Sequence, residues 1–210
     1  MTVIAIDGPA GSGKSTVARC LAERLDLDHL DTGAMYRAVA FLILRLNICP
    51  DDVGQVSAIA QSIDLNLEAG RCWVNGIDVS SEIRGLEVTK VVSTVAAIPQ
   101  VRAEMVNQQR AWVDERGGGV VEGRDIGSVV FPKADIKVFL TATPEIRAER
   151  RFIQSEITNV EETAADIKRR DEADSARITS PLVRADGAVE IDTSKLEVEE
   201  IVDQILKFLE

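Results

Sequence analysis

The sequence predicts an α/β fold: a parallel five-stranded sheet flanked by helices, carrying a small antiparallel β insertion and a short lid segment. Three observations predict it. Short apolar, β-branched runs recur between longer stretches of helical periodicity, the rhythm of strands buried on both faces by crossover helices. The first run leads directly into a glycine-rich loop and an amphipathic helix, the opening of a βα unit. One central stretch, residues 64–80, drops that rhythm for alternation and turn residues.

The elements follow in order. Thr2 to Ile6 is apolar and β-branched and reads as a buried strand. Asp7 to Lys14 is a glycine loop, and Val17, Cys20, Leu21 and Leu25 then recur at helical spacing. Asp28 to Asp31 is a short second strand, and Ala34 to Leu46 presents a broad apolar helical face ended by Pro50. A helix covers Val53 to Ile63. Between Asp64 and Ser80, Ala69-Gly70 and Asn75-Gly76 signal turns, so this stretch is a hairpin or a three-stranded sheet. Leu86 to Ala97 is helical again. Pro99 suits the first turn of a helix to about Glu115, which Gly117-Gly118-Gly119 breaks. Val120 to Glu122 and Ile136 to Leu140 are the next core strands. Thr143-Pro144-Glu145 reads as cap, first helical proline and first-turn acid. A further helix starts after Asn159, spaced from Glu162 as in a capping box. Ala188 to Ile191 is the last strand and Leu196 to Leu209 an amphipathic closing helix.

Composition narrows function. The net charge of −11 disfavours nucleic acid and anionic membrane as partners. The three cysteines, Cys20, Cys49 and Cys72, form no CxxC pair and have no zinc spacing, so they read as inert thiols in a reducing compartment. Thr2 to Ile6 is too short for a signal segment or membrane span, which sets a cytoplasmic expectation. His29, the single histidine, and Trp73 and Trp112 read as structural. Nothing demands an oligomer, and a monomer is expected.

Gly8-Pro9-Ala10-Gly11-Ser12-Gly13-Lys14-Ser15 matches G-x-x-x-x-G-K-[ST] between an apolar run and an amphipathic helix. Glycines let backbone N–H groups turn inward around a phosphate, and the following helix adds its positive end. Lys14 would reach β- and γ-phosphate oxygens, Ser15 would ligate Mg²⁺, and Thr16 would donate to the α-phosphate. The motif therefore predicts binding of ATP with Mg²⁺. The chain has no Asn-Lys-x-Asp guanine reader and no Leu-Ser-Gly-Gly signature, which leaves a small-molecule kinase. Arginines support that reading, because a loose phosphoryl-transfer transition state needs positioned cations. Arg147, Arg150 and Arg151 are spaced to share one helix face, and so are Arg170, Asp174 and Arg177.

Four more segments carry a resemblance. They are Asp31-Thr32-Gly33-Ala34-Met35-Tyr36-Arg37, Ser80-Ser81-Glu82-Ile83-Arg84, Glu122-Gly123-Arg124-Asp125-Ile126-Gly127-Ser128-Val129-Val130-Phe131-Pro132, and Arg169-Arg170-Asp171-Glu172-Ala173-Asp174-Ser175-Ala176-Arg177. Together with the phosphate loop they resemble bacterial cytidylate kinases, within the nucleoside monophosphate kinases of the P-loop class. The resemblance implies a core of residues 1–35, 117–145 and 178–210, an acceptor-binding region of 36–116 with the β insertion at about 63–80, and a lid region of 146–177. It implies that Thr32, Arg37, Ser93, Arg102, Arg124, Asp125, Arg170, Asp174 and Arg177 hold the acceptor, with Arg37 on its phosphate. Asp125 would accept from the cytosine N4 amino group, where uracil offers an acceptor instead. Lys14, Arg124, Arg150, Arg151 and Arg170 would serve catalysis, Arg150 and Arg151 from the lid.

The implied reaction is transfer of the ATP γ-phosphoryl group to CMP or dCMP. No general base is needed, since a phosphate monoester is already largely ionised near neutral pH. The alternatives are a small P-loop kinase acting on UMP, dTMP, shikimate or gluconate, and an ATP-binding regulatory module without turnover.

Overall fold

The computed structural model describes residues 1–68, 70–154, 160–177 and 179–209, the side chains of residues 154 and 160–162 excepted. In chain order the elements are β1 (Thr2–Asp7), α1 (Lys14–Leu25), β2 (His29–Asp31), α2 (Thr32–Arg45), α3 (Val53–Ser62), β3 (Leu65–Glu68), β4 (Arg71–Val74), β5 (Ile77–Asp78), α4 (Leu86–Ala97), α5 (Pro99–Arg116), β6 (Gly118–Gly123), β7 (Ile136–Thr141), α6 (Pro144–Gln154), α7 (Val160–Ser175), β8 (Val189–Asp192) and α8 (Val198–Leu206). The chain forms two compact units, one of Met1–Asp28 with Gly117–Glu210 and one of His29–Arg116.

A five-stranded sheet has the order β2-β6-β1-β7-β8. The pairs β1–β6, β1–β7 and β7–β8 are parallel, with Val3 opposite Gly119 and Ile4 opposite Ile136. β1 and β6 are apolar almost throughout because helices cover both faces of such a sheet. Ile4, Ile6, Val120, Val138 and Leu140 pack with Val17 and Leu21 of α1 and with Ile201, Val202 and Ile205 of α8 into one buried cluster. The burial removes β1 from water and fixes the end of the strand from which the glycine loop departs. α8 is shorter than the expected Leu196–Leu209, because Glu197 and Glu200 form a capping box that starts the helix at Val198. α7 ends at Ser175, so Arg177 lies beyond the helix rather than on its face. The cap expected at Asn159 with Glu162 lies outside the described residues.

The second unit packs four helices with a three-stranded antiparallel sheet, β3-β4-β5. Asn75 and Gly76 both have positive φ, 50° and 75°, the geometry of a tight hairpin turn. The first expected turn also involves Ala69, outside the described residues. α2 begins two residues before Ala34, because the Asp31 carboxylate caps it by accepting from the Ala34 N–H at 3.1 Å. Asp52 caps α3 likewise through the Gln55 N–H at 3.0 Å. Val39, Ile43, Val56, Ala60, Val95 and Met105 form its buried interior.

Candidate active site

In the unit that holds it, the glycine loop runs from the end of β1 into α1. Gly11 and Gly13 take φ values of 77° and 89°, which turn the loop back on itself. A side chain on Gly11 would also meet the Arg147 carbonyl oxygen at 2.7 Å. The buried Lys14 opens α1 and donates from Nζ to the Pro9 carbonyl at 2.7 Å. Burial, and then the Arg124 charge, push its pKa down to about 7, against the pull of Glu122, Asp7 and Asp171. A lysine so placed has too little counter-charge of its own, and a bound anion would supply it. Ser12 Oγ is buried without a hydrogen-bond partner among the described residues. Thr16 is exposed, its N–H bonded to the Gly13 carbonyl at 3.2 Å.

The Ser15 hydroxyl donates to Glu122 Oε2 at 2.8 Å. Glu122 is buried at the end of β6 and received no role from the sequence. A hydroxyl beside a carboxylate offers hard oxygen donors, the kind Mg²⁺ takes together with substrate phosphates and waters. No group of three or more His, Cys, Asp or Glu residues is placed to hold a metal ion among the described residues. Phosphate oxygens and water would therefore complete any coordination here.

The crest of the loop is held from α6 and α7. The Ala10 N–H donates to Asp171 Oδ1 at 3.1 Å, and Arg147 donates to the Ala10 carbonyl at 3.2 Å while pairing with Asp171. The Ala10 methyl packs with Ala148 and Ile167. Arg150 instead grips Thr193 after β8, with 2.8 Å bonds to its hydroxyl and to its carbonyl. Thr193 in turn lies 3.0 Å from the Ser12 carbonyl. Arg151 sits near Arg170, whose charge it opposes. Arg147 and Arg150, both on α6, thus sit against the phosphate loop through different neighbours, Asp171 and Thr193.

Arg124, Arg170, Asp174 and Arg177 come together. Arg124 Nε donates to Asp174 Oδ2 at 2.9 Å, and Arg177 pairs with the other carboxylate oxygen. Burial pushes the Asp174 carboxyl up, but Arg124 and Arg177 outweigh it and hold it below the usual carboxylate range. Arg170 lies beside them, facing Asp174 and Asp166. Burial, then Arg124 and Arg151, lower its pKa to about 10, and its Nε is enclosed without a hydrogen-bond partner among the described residues. Three guanidiniums gather around the buried Asp174, with Asp166 also acting on Arg170, a cluster of donors suited to an anion. Asp125 follows Arg124 directly and is buried, 4% exposed.

The other unit carries the remaining predicted residues. Thr32 is buried in the first turn of α2. Arg37 is tethered to the Ile83 carbonyl at 3.2 Å and to the Thr89 hydroxyl at 3.0 Å. The Ser80–Arg84 segment thus braces Arg37 through Ile83. Arg102 is buried, bonds the Ala96 carbonyl at 3.2 Å and stacks over the Tyr36 ring at 5.4 Å. Ser93 is half-buried on α4. Sequence reasoning missed Glu122, Asp171, Thr89, Tyr36 and Thr193. A carboxylate at the carboxyl end of a core strand was the one available signal, at Glu122.

A family model described as cytidylate kinase matches residues 4–210. The cytidylate kinase of Mycobacterium leprae (strain Br4923) is 46% identical over 97% of this chain and 93% of its own length. A bifunctional pantoate ligase/cytidylate kinase of Synechococcus sp. (strain JA-3-3Ab) is 47% identical over 98% of this chain, which spans 40% of that longer protein. Among solved structures, shikimate kinase from Bacteroides thetaiotaomicron superposes with a TM-score of 0.53 at 13% identity, covering 99% of this chain and 98% of its own. That likeness bears on the fold alone and agrees with the flanked parallel sheet. With the match running almost end to end, the chain belongs to the cytidylate kinase family.

Proposed function

We propose that this chain transfers the γ-phosphoryl group of ATP to CMP or dCMP, giving ADP and CDP or dCDP. The observation that carries the reading is the gathering of Arg124, Arg170 and Arg177 around the buried Asp174, in a chain with a complete phosphate loop. Two polyanionic nucleotides reacting together need such positioned cations.

The residues take these roles. The loop of residues 8–16 cradles the ATP phosphates, with the backbone N–H groups of Gly11, Gly13, Lys14 and Ser15 as donors. Lys14 leaves the Pro9 carbonyl for the β- and γ-oxygens, and its proton is then held by the phosphate charge. Ser15 and Glu122 would hold Mg²⁺, which on binding offsets phosphate charge. Thr32, Arg37, Ser93 and Arg102 bind CMP, with Arg37 on its phosphate. Asp125 accepts from the cytosine amino group. Arg124, Arg170, Asp174 and Arg177 hold the acceptor sugar and phosphate, and Arg150 and Arg151 close over the transferring group. The acceptor phosphate is already ionised, so the chain supplies position and charge rather than a base.

The test is ADP formation from ATP with CMP, dCMP, UMP and shikimate in parallel. CMP and dCMP should give the highest kcat/KM. Equal or greater turnover with UMP or shikimate, or none with any of the four, would overturn the assignment.

A further inference from the structure

Asp7 ends β1, one residue before the phosphate loop, and both of its carboxylate oxygens are spent on the backbone that follows Asp125. Its carboxylate is buried, 3% exposed, and both oxygens are used. Oδ1 accepts from the Ile126 N–H at 2.8 Å and Oδ2 from the Gly127 N–H at 2.7 Å. These are the two peptides that follow Arg124 and Asp125. The Asp125 carbonyl is held from the other side, accepting from Val129 at 2.9 Å and Val130 at 3.2 Å as the chain enters a π-helical turn over Ile126–Val130. At Gly127 an added Cβ would lie 3.1 Å from the Lys137 side chain and 3.3 Å from Ala185 Cβ, so the segment is also packed closely behind.

Burying a carboxylate this completely is costly, and burial pushes the Asp7 pKa up to about 6 despite its two N–H donors. Asp125 and Lys14 are the charged groups that face it. A hydrophobic residue would serve the strand better. We propose that Asp7 is a positioning residue for acceptor selection: it fixes the backbone that presents Arg124 and Asp125, and so sets the preference for cytosine over uracil. The inference rests on the reading of Asp125 as the base reader. Displacing a reacting or recognising group by about 1 Å can cost roughly a hundredfold.

The experiment compares Asp7→Asn and Asp125→Ala with the wild type, using kcat/KM for CMP and for UMP and amide exchange at Ile126 and Gly127. Asparagine keeps the size, but its Nδ2 confronts one N–H that the carboxylate had bonded. Asp7→Asn should lower the CMP/UMP ratio about tenfold or more, speed exchange at both amides, and change KM for ATP far less. An unchanged ratio beside a collapsed ratio in Asp125→Ala overturns the role of Asp7. An unchanged ratio in Asp125→Ala overturns the base reading instead, and unaltered exchange in Asp7→Asn then removes Asp7 as the anchor too. Should Asp7→Asn not fold, the wild-type CMP/UMP ratio at about pH 5 and about pH 8 decides, since protonation turns one of the two oxygens into a hydroxyl, a much weaker acceptor for its amide. A lower ratio at the acid end supports the proposal and a constant one overturns it.

Discussion

Lys14→Met should make the empty protein more stable while abolishing its turnover. Methionine keeps most of the stem packing and removes the ammonium. Burial and the Arg124 charge lower the pKa of Lys14 from 10.5 to about 7. At about 1.4 kcal/mol per unit, the charged form costs on the order of 5 kcal/mol in the folded state. The variant also loses the bond to the Pro9 carbonyl, worth about 1–3 kcal/mol if that oxygen goes unsatisfied. The net gain is about 2–4 kcal/mol, or roughly 5–15 °C in Tm for a chain of this size. The sign in pH follows from the proton count. The folded state binds fewer protons than the unfolded state between about pH 7 and 10.5, so wild-type stability rises across that window. The advantage of Lys14→Met is therefore full below about pH 7 and shrinks toward 10.5. Thermal melts of both proteins across that range measure it, and subtraction cancels the other titrating groups. A Tm difference that is zero, or constant with pH, would refute the reasoning. The same ammonium should recharge when ATP binds, so calorimetry near pH 8, in buffers of differing ionisation enthalpy, should detect proton uptake by the wild type and not by the variant.

Two further perturbations probe the loop. Gly11→Ala places a Cβ 2.7 Å from the Arg147 carbonyl oxygen on a backbone at φ 77°, so it should destabilise by about 1–3 kcal/mol and weaken ATP binding, read by melts and titration. Glu122→Gln keeps an acceptor for the Ser15 hydroxyl but removes the charge. It should raise the Mg²⁺ concentration needed for half-maximal activity about tenfold or more, with kcat largely recovered at saturating metal.

The strands and helices were largely legible because their signals are local. The apolar run Thr2–Ile6, the Asn75-Gly76 turn and Pro99 each specify an element within a few residues. Helix ends were less legible where a side chain outside the apolar pattern decides them, as Asp31 does for α2 and Glu197 for α8. The phosphate loop was readable as a motif, but the residues that grip it were not. Asp171 meets Ala10 across 161 positions, and Thr193 meets Ser12 across 181. No local pattern reports such pairings. Helical spacing placed Arg147, Arg150 and Arg151 together on α6, but it could not name the distant residues that Arg147 and Arg150 reach, Asp171 and Thr193.

The order β2-β6-β1-β7-β8 has a consequence for how the protein is made. β1 emerges before its flanking strands, β6 and β7, which are encoded more than a hundred residues later, with all of His29–Arg116 in between. A ribosome adding about 5–20 residues per second leaves that apolar ribbon without its sheet for several seconds. The inserted unit has its own core and can condense meanwhile. Nascent chains halted before Gly118 should accordingly recruit holdase chaperones through Thr2–Asp7, and those halted past Asp192 should release them.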